Sequence, residues 1–456
     1  MTAIADALAM VVGDDRVVRG PVDAYVKDET ETRLLVGSCA AVVEPRSTEE
    51  VAAVVRWAYE NEVPVVPRGG GTGYAGGAVP FAGSVVLSLA KLTAFRRFDP
   101  ELWRAEVEAG VTTHLLQRRA RESGLLYPPD PGAGEQSQLG GNIATNAGGP
   151  HAFKYGTTGA WITGLEAVVP PGEVITIGGP ITKDVAGYDL KHVLIGSEGT
   201  LGVITCAWVR FIPAPEARHP VVGFFPSTAA GVEAIEAMVG NGVAVAVLDY
   251  LDHGALAAAP PGFADGYVAE RVAFALLCEA DGTAVEARTV RADAMAVVEE
   301  CGGLAVAPLD AFGVAAVWRW REGMTGAVTT VRGGKVSEDI VVPLDRLREA
   351  IERTQAIGDA VGLPACSWGH AGDGNLHSTF LVDTSDPDQL GRAEAGAVAL
   401  FDLAVELGGS LSGEHGLGLV KSGHLERFWA PRKLELHRGI KTLFDPKGLM
   451  NPGKKQ

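Results

Sequence analysis

A chain of 456 residues with 47% hydrophobic content exceeds what one core ordinarily holds, so two or three domains are expected. The formal net charge of −17 argues against nucleic acid and anionic lipid as partners. The sequence has no apolar run of the roughly 18 residues a membrane span needs, and Asp6, Asp14 and Asp15 make the first segment unlike a secretory signal, so a cytoplasmic protein, peripheral at most at the inner membrane face, is expected.

In chain order, residues 1–15 read as a short amphipathic helix. Ser47-x-x-Glu50 is a capping box opening a helix over 47–61, with Val51, Val54 and Val55 at helical spacing. Strands are expected at 63–66 and 84–89, a half-buried strand at 103–108, and a helix over 112–123 stopped by Gly124. Residues 128–164 are rich in Gly, Pro, Asn and Thr, and a long irregular stretch in a compact domain is usually functional. Strand-like text returns at 192–212. Pro213, Ala214 and Pro215 then mark a domain boundary. Beyond it, helices (231–239, 285–300, 344–361, 392–407) alternate with strands (274–277, 340–342, 377–382), which suggests an antiparallel sheet with helices packed on one side. The domains expected are an arm at 1–37, a first domain at 38–214, a second at 215–428, and a segment at 429–456 that returns to the first.

The run Pro67-Arg68-Gly69-Gly70-Gly71-Thr72-Gly73 is a strand entering a turn of bare backbone. Consecutive glycines let several N–H groups face one anion, and a pyrophosphate is the natural guest. Gly71-x-Gly73-x-x-Gly76 matches the dinucleotide fingerprint, but that fingerprint needs a helix at the turn, and Pro80 and Gly83 interrupt one. Further pieces follow in order: Pro129-Asp130-Pro131-Gly132, then Gly140-Gly141-Asn142-Ile143-Ala144-Thr145-Asn146-Ala147-Gly148-Gly149, Tyr155-Gly156, Ala186-Gly187-Tyr188-Asp189-Leu190, and Gly196-Ser197-Glu198-Gly199-Thr200-Leu201-Gly202-Val203-Ile204-Thr205. Each can hold backbone against a ligand.

The second informative region is Gly369-His370-Ala371-Gly372-Asp373-Gly374-Asn375-Leu376-His377, followed later by Gly413-Glu414-His415-Gly416. His370, His377 and Glu414 can supply three ligands to a divalent metal and leave a position open. Zinc suits this donor set first, with manganese or iron as alternatives. His415 is left beside the metal to move a proton. A pair of buried, satisfied histidines is the plainer alternative. The five cysteines (39, 206, 278, 301, 366) lack Cys-x-x-Cys spacing and read as free thiols in a reducing compartment, not as cluster ligands.

In combination, the motifs PRGGGTG, PPDPGA, GGNIATNAGG, KYG, AGYDL, GSEGTLGVIT, GHAGDGNLH, GEHG and DPKGLMNPG resemble the FAD-linked oxidases and dehydrogenases of the vanillyl-alcohol-oxidase/p-cresol-methylhydroxylase type. Within them the chain is similar, from about Cys39 to Gly453, to the glycolate oxidase flavin subunit, D-lactate dehydrogenase and D-2-hydroxyglutarate dehydrogenase. The resemblance implies an α+β fold: a two-subdomain FAD-binding domain of the p-cresol-methylhydroxylase type, plus a C-terminal domain of antiparallel sheet and helices for substrate. It implies non-covalent FAD, with Arg68 through Gly73 around the pyrophosphate. Pro129, Asp130, Gly140, Gly141, Asn142, Thr145, Asn146 and Gly148 would line pyrophosphate and flavin, with Tyr155 and Gly156 also on the cofactor. Glu198, Gly199, Gly202 and Ile204 would lie near the adenosine half, and Asn451 near the isoalloxazine. Arg321, Thr325 and Lys335 would bind a substrate carboxylate. Pro170-Pro171-Gly172 stands where such proteins often carry an acidic turn residue, which puts the local hairpin in question.

The activity implied is metal-assisted oxidation of a D-2-hydroxy acid to the 2-oxo acid, with hydride passed to flavin N5 and His415 as base. Electrons would leave for a separate acceptor: a quinone, an electron-transfer flavoprotein, a partner subunit or dioxygen. A homodimer is compatible with the sequence. The competing expectation is a flavin-binding electron-transfer subunit without its own turnover. Alkyl transfer, as in the related ether-lipid synthase, is weaker, because its run of adjacent histidines is missing here.

Overall fold

The computed structural model of the chain describes residues 2–33, 35–267 and 272–455. The chain forms two units. The first comprises Met1–Gly148, Thr157–Ala214 and Glu414–Gln456, and the second Gly149–Gly156 and Pro215–Gly413. The chain thus crosses at Ala214/Pro215 and returns at Glu414, earlier than 429. The early return has a local cause within the first unit: Ala75 accepts from the Leu419 N–H (2.7 Å), and the Glu198 carboxylate accepts from Leu417 and Gly418.

The first unit holds two main sheets. Ala41–Val43, Val85–Ser88 and Val65–Arg68 form a parallel sheet, with Met450 in parallel register beside Val65. The helix Thr48–Glu60 lays Val51, Val54 and Val55 on this sheet, against Val43, Val65, Val85 and Leu87. Ser47 caps that helix by accepting from the Glu50 N–H. The reciprocal half of the expected capping box is absent: the Glu50 carboxylate instead accepts from Arg16 and from the Arg46 N–H.

The other sheet is antiparallel, in the order Phe95–Asp99, Arg104–Glu108, Val203–Arg210, Ile162–Val169, Glu173–Gly178. The Pro170-Pro171 hairpin forms, with Val169 opposite Glu173. Within the stretch read as irregular, Leu139–Thr145 is a helix.

The second unit is a seven-stranded antiparallel sheet, in the order Leu304–Val306, Ala217–Phe225, Phe274–Gly282, Val247–Asp252, Ala365–His370, Asn375–Val382, Gly334–Val341. Alternation and register sort its side chains onto two faces. One face meets the longer helices: Phe274 fits against Gly231 of Thr228–Gly240, Gly223 against Val298 of Ala284–Glu300, Ser378 against Thr354 of Leu347–Val361, and Phe380 against Gly396 of Pro387–Glu406.

The opposite face is also covered in part. Phe224, Leu251, Leu277 and Trp368 pack with Leu256, Val317, Trp320, Met324 and Val328 from the helices His253–Ala258, Ala311–Glu322 and Met324–Arg332. Helices therefore lie on both faces, not one. The Ala311–Glu322 and Met324–Arg332 helices escape sequence reading because Gly313, Gly323 and Gly326 dilute their periodicity. Among the described residues no helix is long and apolar enough to cross a membrane.

Candidate active site

In the first unit a cleft of about 1310 Å³, counting its open mouth, runs along the glycine-rich segments. Its wall includes Pro67 through Gly73, Gly140, Gly141, Asn142, Thr145, Gly148, Glu198, Gly199, Gly202 and Ile204, together with Glu414 and His415.

Two kinds of glycine occur here. Gly70 is needed for packing, since a Cβ there would lie 2.1 Å from the Gln136 carbonyl oxygen. Gly73 and Gly141 are different. A Cβ at Gly73 would meet nothing within 4 Å, and one at Gly141 only Gly69 Cα at 3.9 Å. Both positions leave room that a side chain would fill, which is the form expected of a wall that a cofactor approaches closely.

Several expected cofactor residues sit elsewhere. The wall includes neither Pro129 nor Asp130, but Pro131, Gly132 and Ala133 just after them; the Pro129 carbonyl is taken by Gln117 (2.8 Å). Asn146, in left-handed backbone (φ 53°), turns its amide oxygen to the Gly159 N–H (2.8 Å) and the Thr157 hydroxyl (3.0 Å). Tyr155 and Gly156 belong to the second unit, where the Tyr155 hydroxyl donates to Asp281 (2.5 Å). Asn451 stands behind the wall, donating to the Gly77 and Glu198 carbonyls (3.0 and 2.7 Å).

Arg68 contributes backbone. Its guanidinium donates to the Lys27 and Ala24 carbonyls (both 2.8 Å). Glu198, also in left-handed backbone (φ 54°), accepts from the Leu417 N–H (2.9 Å), the Gly418 N–H (2.7 Å) and Lys455 (3.1 Å). It thereby secures the turn that follows Glu414 and His415. The His415 ring lies 4.8 Å from that of Tyr74, a wall residue the sequence reading did not single out.

In the second unit the register brings remote residues onto one sheet face. Asp249 pairs with His370, Trp368 and Asp339 both pair with His377, and Lys335 pairs with Leu381. Cross-strand partners share a face. His370 and His377 are buried, with ring centroids 5.4 Å apart and ligand nitrogens within 4.8 Å of one another. Asp249, fully buried, was missed by sequence reading. Its Oδ1 accepts from His370 Nδ1 (2.8 Å), and its Oδ2 accepts from Arg321 Nε and Nη2 (both 2.7 Å). Burial pushes the Asp249 carboxyl upward, but the charges of Arg321 and His370 outweigh it and bring the carboxyl down to about 2.

Asp339 was also missed. It accepts from Asn375 (2.5 Å), the Ser412 hydroxyl (2.7 Å) and the Gly413 N–H (2.9 Å). Asn375 Oδ1 is buried with no hydrogen-bond partner among the described residues. The only sequence signal for Asp249 and Asp339 was a charge inside an apolar strand.

Lys335 is buried, its ammonium 5.3 Å from the Trp368 ring centroid and 3.3 Å from the Thr325 carbonyl. Burial lowers its pKa to about 8. Thr325 itself is exposed and meets Lys335 through its backbone. These features fit a divalent cation. The two imidazoles converge, and with the Asp249 carboxylate on His370 Nδ1 it is Nε2 that would serve as a ligand.

Comparison with known proteins decides the family. Residues 39–178 match the family described as FAD binding domain, and residues 214–455 match FAD linked oxidases, C-terminal domain. The chain belongs to the FAD-linked oxidases. Relatives of this FAD-linked oxidase include the glycolate oxidase subunit GlcD of Bacillus subtilis, 34% identical over 423 residues (91% of this chain, 88% of the relative). The D-lactate dehydrogenase of Archaeoglobus fulgidus is 36% identical over 440 residues (95% and 96%). The D-2-hydroxyglutarate dehydrogenase of Xanthomonas citri pv. viticola is 34% identical over 451 residues (96% and 94%). Among solved structures, p-cresol methylhydroxylase has the same fold, with a TM-score of 0.78 at 19% identity over 99% of this chain and 96% of that one. Alkyldihydroxyacetonephosphate synthase is similar in fold at a TM-score of 0.76 and 19% identity (100% and 85%).

Proposed function

We propose that this FAD-linked oxidase oxidises a D-2-hydroxy acid of the lactate, glycolate or 2-hydroxyglutarate class to the 2-oxo acid, with a divalent metal assisting. The observation that carries this reading is the shared sheet face: converging imidazoles of His370 and His377 lie beside two cations, Arg321 and Lys335. A 2-hydroxy acid needs both, a Lewis-acid site for its hydroxyl and a positive charge for its carboxylate.

His370 and His377 would ligate the metal. Glu414 would complete the set, being peptide-bonded to Gly413, whose N–H is held by Asp339 opposite His377. Zinc suits these donors first, with manganese or iron as alternatives. The metal, when bound, supplies acidity to the substrate hydroxyl. FAD, when bound, supplies the acceptor for the C2 hydride at flavin N5.

The remaining work falls to side chains. His415, next in chain to Glu414, takes the hydroxyl proton. Arg321 holds one carboxylate oxygen and Lys335 supplies charge near the other, fixing which face of C2 is presented. The cleft glycines hold the pyrophosphate against backbone N–H groups. Onward electron transfer goes to a separate quinone, flavoprotein or partner subunit.

The test is anaerobic mixing of flavin-loaded protein with a panel of D- and L-2-hydroxy acids, with and without a chelator. Bleaching of flavin absorbance by D-acids, slowed by the chelator, is expected. No bleaching by any acid would leave the chain a flavin-binding subunit without turnover.

A further inference from the structure

We propose that Asp249 is a positioning residue that serves two groups at once: it sets the His370 ring for metal binding and aims Arg321 at the substrate carboxylate. The inference rests on the metal and substrate reading above.

An ionised aspartate only accepts hydrogen bonds. With Oδ1 at 2.8 Å from His370 Nδ1, the proton of a neutral imidazole belongs on Nδ1, which makes Nε2 the nitrogen that would carry the metal. The carboxylate also makes that nitrogen a better donor. Oδ2 takes two donors from Arg321, Nε and Nη2, both at 2.7 Å. That two-point grip fixes the guanidinium plane, so the Nη1 edge has one direction to point. Arg321 occupies the last turn of Ala311–Glu322, just before Gly323, while Asp249 sits in the Val247–Asp252 strand opposite His370. One buried carboxylate therefore joins a helix that carries a substrate cation to a strand that carries a metal ligand.

A merely structural ion pair would predict something else. Removing either partner would then lower stability alike, and metal affinity would follow stability. In the positioning role the two partners separate, because the hydrogen bond to His370 Nδ1 is made by Asp249.

The experiment uses full-length, flavin-loaded protein stripped of metal with a chelator and titrated with zinc against a chromophoric indicator. Wild type, Asp249→Asn, Arg321→Met and Asp249→Asn/Arg321→Met are compared for zinc Kd, flavin content and KM for the hydroxy acid. Asp249→Asn should weaken zinc binding by about 10–100-fold and raise KM, with flavin content unchanged. Arg321→Met should raise KM while moving zinc Kd by less than tenfold. The double variant removes both charges, so it folds even where the single aspartate change does not, and it should show the same weakened zinc binding. Zinc binding as tight in the double variant as in wild type overturns the Asp249 assignment alone. Wild type that binds no zinc, with bleaching indifferent to chelator, overturns the metal reading itself and the His370 half of the assignment with it.

Discussion

Gly141→Ala separates packing from ligand binding with a single methyl group. Gly141 lies inside the helix Leu139–Thr145, where alanine is favoured over glycine by about 0.5–1 kcal/mol. The added Cβ would meet only Gly69 Cα, at 3.9 Å, an ordinary contact. The flavin-free protein should therefore melt about 1–4 °C higher. The same methyl enters the cleft, and a methyl forced into an occupied contact costs about 1–3 kcal/mol, roughly 5- to 150-fold in FAD affinity. Differential scanning of the flavin-free protein and quenching of FAD fluorescence on titration measure the two effects. Gly70→Ala is the counter-case. Its Cβ would sit 2.1 Å from the Gln136 carbonyl oxygen, so the flavin-free protein should itself lose stability. A stabilised Gly141→Ala protein that binds FAD like wild type would refute the cleft as the cofactor site. A destabilised one would refute the packing argument.

His415→Asn should stay yellow but lose bleaching by the D-acid that reduces wild type; undiminished bleaching removes His415 as base. Glu198→Ala strips the acceptor from the Leu417 and Gly418 N–H groups. Leaving such groups unmet costs about 1–3 kcal/mol, read as a fall in denaturant midpoint, and should slow reduction, since Glu414 and His415 precede that turn. Lys335, with a pKa of about 8, loses its charge as pH rises through that value, so KM for the anionic substrate should climb there, and Lys335→Arg should abolish the climb. Because that pKa is depressed, the folded state holds fewer protons than the unfolded one between about 8 and 10.5. Stability should therefore rise with pH across that window, by urea titration at fixed ionic strength.

The glycine blocks were legible because a turn of bare backbone announces itself residue by residue. Pro67 through Gly73 and Gly140–Gly141 fall on one cleft for that reason. The Thr48–Glu60 helix was legible from its valine spacing. Asp249 and Asp339 were not, because their meaning lies in cross-strand register, which no local pattern encodes. A buried aspartate next to Leu248 or Ile340 looks like noise until strand pairing sets it opposite a histidine. Asn146, Glu198 and Asn451 show a different limit. Their motif context was plain, but their side chains serve neighbouring backbone. Motif membership marks a neighbourhood, not the direction in which a side chain points.

The parallel sheet carries a consequence for biogenesis. Met450 zips alongside Val65, and Asn451 ties off the carbonyls of Gly77 and Glu198, so nearly four hundred intervening residues separate strand from closing seam. Domains emerging from a ribosome usually consolidate in order of synthesis. Here the parallel sheet of the first unit waits for its closing segment while the residues of the second unit, Pro215–Gly413, are translated in between. Its stitching comes only once the segment around Met450 and Asn451 has been made.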